Sequence, residues 1–395
     1  MIYLDNAATT RVSAEVYEAM KPYFCEQYAN PSAIYSFAGS AAKAVDEARR
    51  QSAALIGAQP NEIYFTAGGS ESDNWAVRAA TEASAGKGKH IITSKIEHHA
   101  ILHTCQYLEK HGYEVTYINV DENGTIKLDE LEAAIRPDTT LITIMAANNE
   151  IGTIQPLKEI GALAKKNGIL FHTDAVQAYG HIPLDVDALN IDLLSASGHK
   201  FHGPKGIGFL YIRKGVRMGS LIHGGAQERA RRAGTHNTPG IVGLGAAAAL
   251  AAAQMEKSID KETTLRDYLI KRVLEEIPYS RINGHLVNRL PNNANFCFRF
   301  IEGESLLILL DQKGICASSG SACTSGSLDP SHVLLAIGLP HETAHGSLRL
   351  TLSDETTKEE IDVTVEALKN IVARLRSMSP LYEDFVKAQR QDREK

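Results

Sequence analysis

The chain has 395 residues, of which 44% are hydrophobic and 22% charged, a balance typical of a soluble globular protein with a large buried core. This length suggests two or three domain-sized units. The formal net charge of −6 leaves no overall basic field that would favour nucleic acid or an anionic membrane. The five cysteines are scattered without a CxxC pair, so we expect no disulfide framework and a reducing, cytoplasmic compartment. We recognise no signal peptide, and the longest apolar run, Ile241–Ala253, is too short to span a bilayer.

Strand-like and helix-like segments alternate from about residue 60 to residue 215. The predicted strands are Glu62–Thr66, His90–Thr93, Glu114–Ile118, Leu141–Ala146, Ile169–Thr173, Leu193–Ala196 and Gly208–Arg213. Helices are predicted between several of them, for example over Ser72–Ala85 and Leu157–Lys166. This alternation predicts an α/β unit with a largely parallel sheet that is buried on both faces.

The pattern changes after this unit. The Ala-rich segment Ile241–Lys257 predicts a long helix, since alanine loses little entropy in a helix, and this helix could lead to a second unit. Strands such as Ala294–Phe300 and Ser347–Leu352 are then separated by longer helices. We therefore expect a smaller α+β domain after about residue 258.

The first candidate site is the segment Thr66–Ser72, TAGGSES, in which small residues join a strand to a helix that begins near Ser70. Free backbone N–H groups, the positive end of the helix dipole and a serine hydroxyl together make an anion site. An ordinary strand–helix turn is the alternative. The segment matches neither GxGxxG nor GxxxxGK[ST], so a dinucleotide or P-loop site is not favoured.

The second candidate is Asp174, which the apolar strand before it delivers to its carboxyl end, the edge at which open α/β sheets bind ligands. A carboxylate there can pair with a protonated pyridine nitrogen. The alternative role is a helix N-cap, since Asp is favoured at that position.

The third candidate is Lys200, which follows an apolar run and precedes a turn rich in Gly and Pro. A lysine on a tight loop after a buried strand can form a Schiff base, because burial lowers its pKa and frees the amine. A surface position is the commoner outcome for a single lysine, but the location downstream of Asp174 favours the reactive role.

The fourth candidate is Cys323, within Ala317–Pro330, a segment of Ser, Gly and Ala with almost nothing apolar to hold it. We expect an exposed, mobile loop, the access that a reactive thiol needs. Burial as a small hydrophobic residue is the usual fate of a free cysteine and is expected for Cys105, Cys297 and Cys316. All four other cysteines, Cys25 included, are expected in apolar or helical contexts where burial disfavours the thiolate.

Two histidine patterns resemble metal sites. His341–His345 matches HExxH, but Pro340 and Gly346 confine it to one turn, which is too short for the helix of a zinc protease. His99 and His103 lie four residues apart without a Cys or carboxylate cluster. We therefore predict no metal.

Together these segments resemble the cysteine desulfurases of the NifS/IscS type, within the fold-type I enzymes that depend on pyridoxal 5′-phosphate (PLP). The matching segments run nearly from end to end in order: Tyr3–Thr10, Asn30–Ser32, Glu97–His98, Ala147–Gly152, His172–Gln177, Gly198–Gly206, Arg232–Thr235, Ser318–Ser325 and Leu348–Leu350. One departure is Ser70, where many relatives have Thr, and the hydroxyl is retained. The resemblance implies an α/β fold: a large domain, residues 14–256, with a mostly parallel seven-stranded sheet, and a smaller α+β domain, residues 1–13 and 257–395, that carries the Cys323 loop.

The resemblance also implies a role for each cofactor residue. Lys200 would bind PLP covalently, Asp174 would pair with the pyridine nitrogen, Gln177 would bond the phenolate oxygen, and His98 would stack on the ring and relay protons. The phosphate would be bound by Gly69, Ser70, Ser197, His199 and, from a second subunit of a homodimer, Thr235.

The reaction that the resemblance implies is the transfer of sulfur from L-cysteine to Cys323, with release of L-alanine. Asn149, also beside the cofactor, and Arg349 would bind the substrate carboxylate. The persulfide sulfur would pass to an acceptor or scaffold protein for iron–sulfur cluster assembly or other thio-cofactor synthesis. Three alternatives stay open on the residues: an aminotransferase, a selenocysteine lyase, and a scaffold that has kept the fold without the activity.

Overall fold

The structure is a computed structural model that describes residues 1–319 and 330–393. The strands are β1 (Ile2–Tyr3), β2 (Ile63–Thr66), β3 (His90–Ser94), β4 (Glu114–Ile118), β5 (Thr139–Thr143), β6 (Leu170–Asp174), β7 (Leu193–Ser197), β8 (Gly208–Ile212), β9 (Ser280–Asn283), β10 (Asn293–Phe298), β11 (Ile315–Cys316) and β12 (Ser347–Thr351). The helices are α1 (Ala14–Met20), α2 (Pro22–Cys25), α3 (Gly39–Ala54), α4 (Gly69–Ala83), α5 (His99–Glu109), α6 (Leu128–Ala134), α7 (Leu157–Lys166), α8 (Gln227–Ala230), α9 (Thr238–Glu276), α10 (Gly303–Asp311), α11 (His332–Ala336), α12 (His341–His345), α13 (Lys358–Ser377) and α14 (Pro380–Arg393).

A seven-stranded sheet in the order β2-β8-β7-β6-β5-β3-β4 forms the centre of the larger unit. β8 runs antiparallel to both of its neighbours, and the pairs from β7 to β4 are parallel. Every residue of β3 and β5 is buried, as β-branched residues are in a sheet covered on both faces. The predicted mostly parallel seven-stranded α/β fold is thus confirmed.

The predicted strand Leu141–Ala146 is wrong at both ends, because the regular ladder covers Thr139–Thr143. Beyond it, the backbone N–H of Ala146 still donates to the carbonyl of Asp174, 2.8 Å away, outside the ladder. Met145 and Ala147 face a cavity there, so the chain leaves the strand where it begins to line that cavity.

A second group of strands lies in the smaller unit: the antiparallel sheet β12-β10-β9 and the parallel pair β1-β11. Its hydrophobic cluster, which includes Phe296, Phe298 and Leu350, is separate from the cluster under the large sheet. Because Leu4 belongs to this second cluster, the N-terminal residues pack with the C-terminal part of the chain.

Helix α9 connects the two groups and is longer than the predicted Ile241–Lys257, because it runs unbroken over 39 residues. The side chain of Asn237 caps its first turn by accepting from the N–H of Gly240 at 3.2 Å. A Cβ at Gly245 would lie 2.4 Å from Cα of Ala48, so glycine allows α9 and α3 to approach closely.

By length and composition alone, α9 is the one helix among residues 1–319 and 330–393 that is long and apolar enough to cross a membrane. In this fold, 44% of its most apolar window is buried inside the protein. Helices of protein cores pass the same test, and α9 packs on α3 and α1, so its apolar character is accounted for by packing.

Candidate active site

A cavity of about 300 Å³ opens where β6 and β7 end and α4 begins. This is the edge of an open α/β sheet at which ligands bind. Except for Thr235 and Cys323, all the residues that the sequence predicted for the site line this one cavity: Gly69, Ser70, His98, Asn149, Asp174, Gln177, Ser197, His199, Lys200 and Arg349.

Asp174 is the last residue of β6, and it is only 6% exposed. Its Oδ1 accepts from the backbone N–H of Val176 at 2.9 Å, so a capping contact exists as well. Burial raises the pKa of Asp174, while the nearby His98 and Lys200 act to lower it. A cationic group in the cavity would therefore stabilise the charged carboxylate.

Lys200 lies in a single helical turn, Gly198–Lys200, directly after β7. Its Nζ donates to two backbone carbonyls, those of Ala7 at 2.7 Å and Ala8 at 2.9 Å. The N-terminal segment thus holds the amine within the cavity that Asp174 also lines. Lys200 is therefore not positioned as an ordinary surface lysine, which was the alternative interpretation.

The start of α4 forms one end of the cavity. A Cβ at Gly69 would lie 2.6 Å from Cγ2 of Val176, so only glycine fits there without movement. The first N–H groups of α4 have no acceptor within the helix, and Ser70 and Ser197 add hydroxyls beside them. These donors are of the kind that the predicted anion site requires. α4 begins at Gly69, one residue before the start predicted near Ser70 and three before the predicted helix Ser72–Ala85.

Two histidines in the cavity have defined surroundings. Nδ1 of His98 accepts from the N–H of Ala100 at 3.1 Å, so the proton of the neutral ring resides on Nε2. Nδ1 of His199 lies 3.2 Å from the hydroxyl of Thr9. Burial and the charges of Lys200 and Lys205 lower the pKa of His199 to about 4, so this ring is neutral at pH 7.

Arg349 lies in β12 of the smaller unit, lines the cavity and is 4% exposed. Its guanidinium donates to the carbonyl of Asn149 at 2.9 Å and to Oδ1 of Asp5 at 3.0 Å. Its Nε is buried and has no hydrogen-bond partner. A buried, partly unsatisfied guanidinium suits a carboxylate ligand, which accepts two hydrogen bonds from it.

Two buried carboxyl groups beside the site were given no role from the sequence, although Glu97 belongs to one of the matching segments. Asp73, one turn along α4 from Ser70, lines the cavity, and its Oδ1 has no hydrogen-bond partner. Burial and the charge of Asp174 raise the pKa of Asp73 well above its usual value. Both carboxylate oxygens of Glu97 accept from the N–H of Met145, and burial raises the pKa of Glu97 to about 8. The one signal available for Asp73 was its i+3 spacing from Ser70 on one helix.

Two predicted residues are not among those that line the cavity. Thr235 is exposed in the segment before α9. Cys323 lies outside the described residues, so its place relative to Lys200 stays a prediction. Of the other cysteines, Cys105 and Cys297 are buried, as predicted, whereas Cys316 is only half-buried and departs from its predicted burial. Cys25 lies in a helix, α2, but is exposed, so its expected burial is wrong.

The histidine patterns form no metal centre in the parts of the chain that the structure describes. α12 is a single turn, His341–His345, as predicted. The ring of His99 stacks on that of His103 with centroids 5.0 Å apart, and such stacked rings do not point their nitrogens at a shared ion.

Comparison with known proteins agrees with this arrangement. Residues 2–364 match the model of the aminotransferase class-V family. The cysteine desulfurase IscS of Methanosarcina thermophila is 60% identical over 380 residues, 96% of this chain and 94% of that protein. The IscS of Clostridium botulinum strain Hall is 55% identical over 388 residues, 98% of each chain.

Solved structures give the same result. A NifS-like protein superposes with a TM-score of 0.89 at 39% identity, over 95% of this chain and all of the other. A structure described as SspA in complex with cysteine superposes with a TM-score of 0.80 at 40% identity, over 90% of this chain and all of the other. The chain therefore belongs to the aminotransferase class-V family, a family of PLP-dependent enzymes, and within it to the cysteine desulfurases.

Proposed function

We propose that this enzyme transfers the sulfur atom of L-cysteine to its own Cys323 and releases L-alanine. The observation that carries the proposal is the convergence of Lys200, Asp174 and Arg349 on one cavity of about 300 Å³. An amine for the cofactor, a carboxylate for its ring nitrogen and a guanidinium for a substrate carboxylate are thereby brought together. The relatives named above carry the same activity in their names, and one structural neighbour was solved with cysteine.

The residues of the cavity fit PLP. The backbone at Gly69 leaves a cradle that a Cβ would fill, and Ser70, Ser197 and the neutral His199 offer donors for a phosphate. Lys200 would hold the aldehyde carbon, and Asp174 would pair with the ring nitrogen. When bound, PLP supplies an electron sink that stabilises negative charge at Cα of the substrate.

Three further side chains orient the reacting groups. Gln177 is fixed by an Nε2–H bond to the carbonyl of Ala7 at 2.9 Å, which leaves a second N–H for the phenolate oxygen of the cofactor. His98, with its proton on Nε2, would cover the ring and move protons at that atom. The amine of Lys200 would take up the Cα proton of the substrate.

The substrate carboxylate would bind Arg349 and the side chain of Asn149. The Cys323 thiolate would then attack the substrate sulfur. As the S–S bond forms, the substrate C–S bond breaks and leaves its electron pair with Cβ. Protons taken up at Cβ and Cα complete L-alanine, while Cys323 keeps the sulfur as a persulfide.

The assembly and the sulfur acceptor belong to the same proposal. We expect a cytoplasmic homodimer in which Thr235 of each chain reaches the phosphate of the other chain. The persulfide would pass to a scaffold or acceptor protein for iron–sulfur clusters or other thio-cofactors. The domain division would fall at residues 14–256 against residues 1–13 and 257–395, a boundary inside the continuous α9.

Sulfur transfer is tested at Cys323 itself. A brief pulse of L-cysteine without reductant should add about one sulfur atom to Cys323, because one nucleophile accepts one transfer before it is discharged. Peptide mass spectrometry locates that atom. Cys323→Ser should still bind PLP and cysteine but release neither sulfide nor alanine at a useful rate.

The exposed Cys25 provides a matched control. Cys25→Ser should load and discharge sulfur as the wild type does. A persulfide on Cys25 in place of Cys323, or full alanine production by Cys323→Ser, would contradict the mechanism and favour an aminotransferase or lyase reaction.

A further inference from the structure

A second cavity, of about 330 Å³, begins one residue after Lys200. Phe201 and His202 line it, whereas Lys200 lines the candidate active site, and the two cavities share no lining residue. The N-terminal segment from Arg11, helix α9 and the turn at Asp354 form its other walls. Nothing in the reaction above uses this cavity.

Glu262 of α9 lines the second cavity, and it is only 4% exposed. Within the described chain it makes neither a hydrogen bond nor an ion pair. The surrounding protein removes most of the water from this carboxyl group, which opens on the cavity, so the position points to a cationic ligand there.

The cationic side chains near Glu262 are bonded to other groups: Arg266, one turn along α9, donates to Asp267 and to the carbonyl of Leu290. Arg11 is already bonded to Glu355, and Lys261 donates to the backbone carbonyl of Asp354. Asp354 Oδ1 is buried without a hydrogen-bond partner, 3.5 Å from Nε2 of His202. The cavity thus has two carboxyl groups, those of Glu262 and Asp354, without a hydrogen-bonded cation.

Part of the cavity lining is apolar. Phe201, Leu250, Ala251 and Met255 line it, the last three on α9, the helix that also carries Glu262. Residues 1–319 and 330–393 contain no group of three or more His, Cys, Asp or Glu side chains placed to hold a metal ion. A carboxyl group beside an apolar wall suits a cation that carries an alkyl chain.

We propose that this cavity binds a small aliphatic amine, whose ammonium group pairs with Glu262 and whose alkyl chain contacts Phe201 and Leu250. Asp354 would add a second negative charge at the mouth.

The pH dependence of binding follows from the state of Glu262. Burial and the charge of Asp354 raise its pKa to about 8, while Lys261 and Arg266 oppose the rise. At pH 7 the carboxyl group is mostly protonated, so pairing with an ammonium group must release a proton. The other charged or titratable groups that line the cavity are Arg11, Glu15, His181, His202 and Glu355. Burial lowers the pKa of His181, although the carbonyl of Lys200, 2.8 Å from its Nε2, opposes that change.

The test is calorimetric titration of the PLP-loaded enzyme with N,N-dimethylbutylamine, a tertiary amine that cannot condense with the cofactor aldehyde. We expect binding, release of close to one proton per amine at pH 7 in buffers of different ionisation heat, and tighter binding as pH rises toward 8. Butan-1-ol, which lacks the charge, should not bind. Absence of amine binding, or binding without proton release, would overturn the proposal.

Variants assign the binding to this cavity. Glu262→Gln keeps the shape but removes the charge, and should weaken amine binding at least about tenfold. Glu275→Gln, an exposed position on the same helix, should leave it unchanged. Ala251→Phe should block binding by filling the cavity while Glu262 is retained. Undiminished binding to both Glu262→Gln and Ala251→Phe would place the amine elsewhere and refute the site.

Discussion

At the scale of single residues, Asp174 combines two roles that a substitution can separate. Its Oδ1 accepts the N–H of Val176, and its charge is available to a cationic ring nitrogen. Asp174→Asn keeps the accepting oxygen but removes the charge. Activity should therefore fall by about two orders of magnitude or more, while the melting temperature changes little.

Steady-state alanine production and thermal unfolding of the same preparations measure the two roles. Small, equal losses in both would leave only the capping role. Asp192→Asn is a useful comparison, because Asp192 also accepts a backbone N–H, that of Phe171 at 3.0 Å, and is not among the lining residues of the active-site cavity.

Asp73 should make the stability of the cofactor-free protein depend on pH. Burial and the charge of Asp174 raise its pKa in the folded protein above the ordinary 3.8. The folded state then holds this proton more tightly, so its stabilising effect is complete below about pH 3.8 and is lost as pH rises toward the folded pKa. Asp73→Asn should remove this dependence, which changes the free energy of unfolding by up to roughly 1.4 kcal/mol per pH unit.

Urea unfolding of the two cofactor-free proteins at several values between pH 5 and pH 8 measures this effect. The free energy of unfolding of Asp73→Asn should fall less steeply with pH than that of the wild type. Parallel curves would mean that Asp73 is ionised throughout this pH range and that neighbouring groups stabilise its buried charge.

The sequence predicted those site residues whose chemistry is local. Asp174 ends one recognisable strand and Lys200 closely follows another, so their positions could be read from a few neighbours. Asp73 could not, because its burial depends on β6 and β7, which are distant along the chain. The pairing of Arg349 with Asp5 spans 344 positions, and no local pattern indicates a contact of that kind.

At the scale of elements, the approach of α4 to the end of β6 depends on Gly69. An alanine Cβ would lie 2.6 Å from Cγ2 of Val176, closer than side chains tolerate. Gly69→Ala should displace the start of α4 from the phosphate position and weaken PLP binding about 10- to 100-fold, the loss expected for one or two charged hydrogen bonds.

The double variant Gly69→Ala/Val176→Ala separates this cause from others. It removes the colliding methyl group and should recover part of the PLP affinity, measured by equilibrium dialysis. Gly39→Ala at the start of α3 is the control, because a Cβ there meets no atom within 4 Å and should leave affinity unchanged. No recovery in the double variant would contradict the steric explanation.

The elements with strong local patterns were predicted to the residue. α7 coincides with the predicted Leu157–Lys166 and β4 with Glu114–Ile118. The prediction for α9 ended at Lys257, one turn after the alanine run ends at Ala253. The helix continues because Leu269 and Val273 pack in the core of the smaller unit and Arg272 bonds Glu276 one turn away. Packing of this kind depends on tertiary structure that the sequence pattern does not contain.

At the scale of the whole molecule, the single chain exposes large apolar side chains near its N-terminus. Tyr28 and Phe37 contact each other with ring centroids 5.4 Å apart, yet are 68% and 47% exposed, and Ile34 beside them is fully exposed. Exposed apolar surface of this kind marks an interface in a soluble protein. Together with the position of Thr235 outside its own cavity, this favours a homodimer.

A hybrid dimer tests whether Thr235 acts across that interface. Thr235→Ala alone should weaken PLP binding about tenfold, the loss of one charged hydrogen bond, and Lys200→Ala alone should abolish covalent attachment of PLP.

A heterodimer of the two variants, purified by two different tags, contains one intact Lys200. If Thr235 serves the opposite chain, that Lys200 site receives a native Thr235 and should bind PLP with wild-type affinity at half the wild-type stoichiometry. If Thr235 serves its own chain, the same site should bind about tenfold more weakly. Titration of the absorbance of lysine-bound PLP distinguishes the two results, and a monomer that binds PLP with full affinity in sedimentation at micromolar concentration would rule out the shared site altogether.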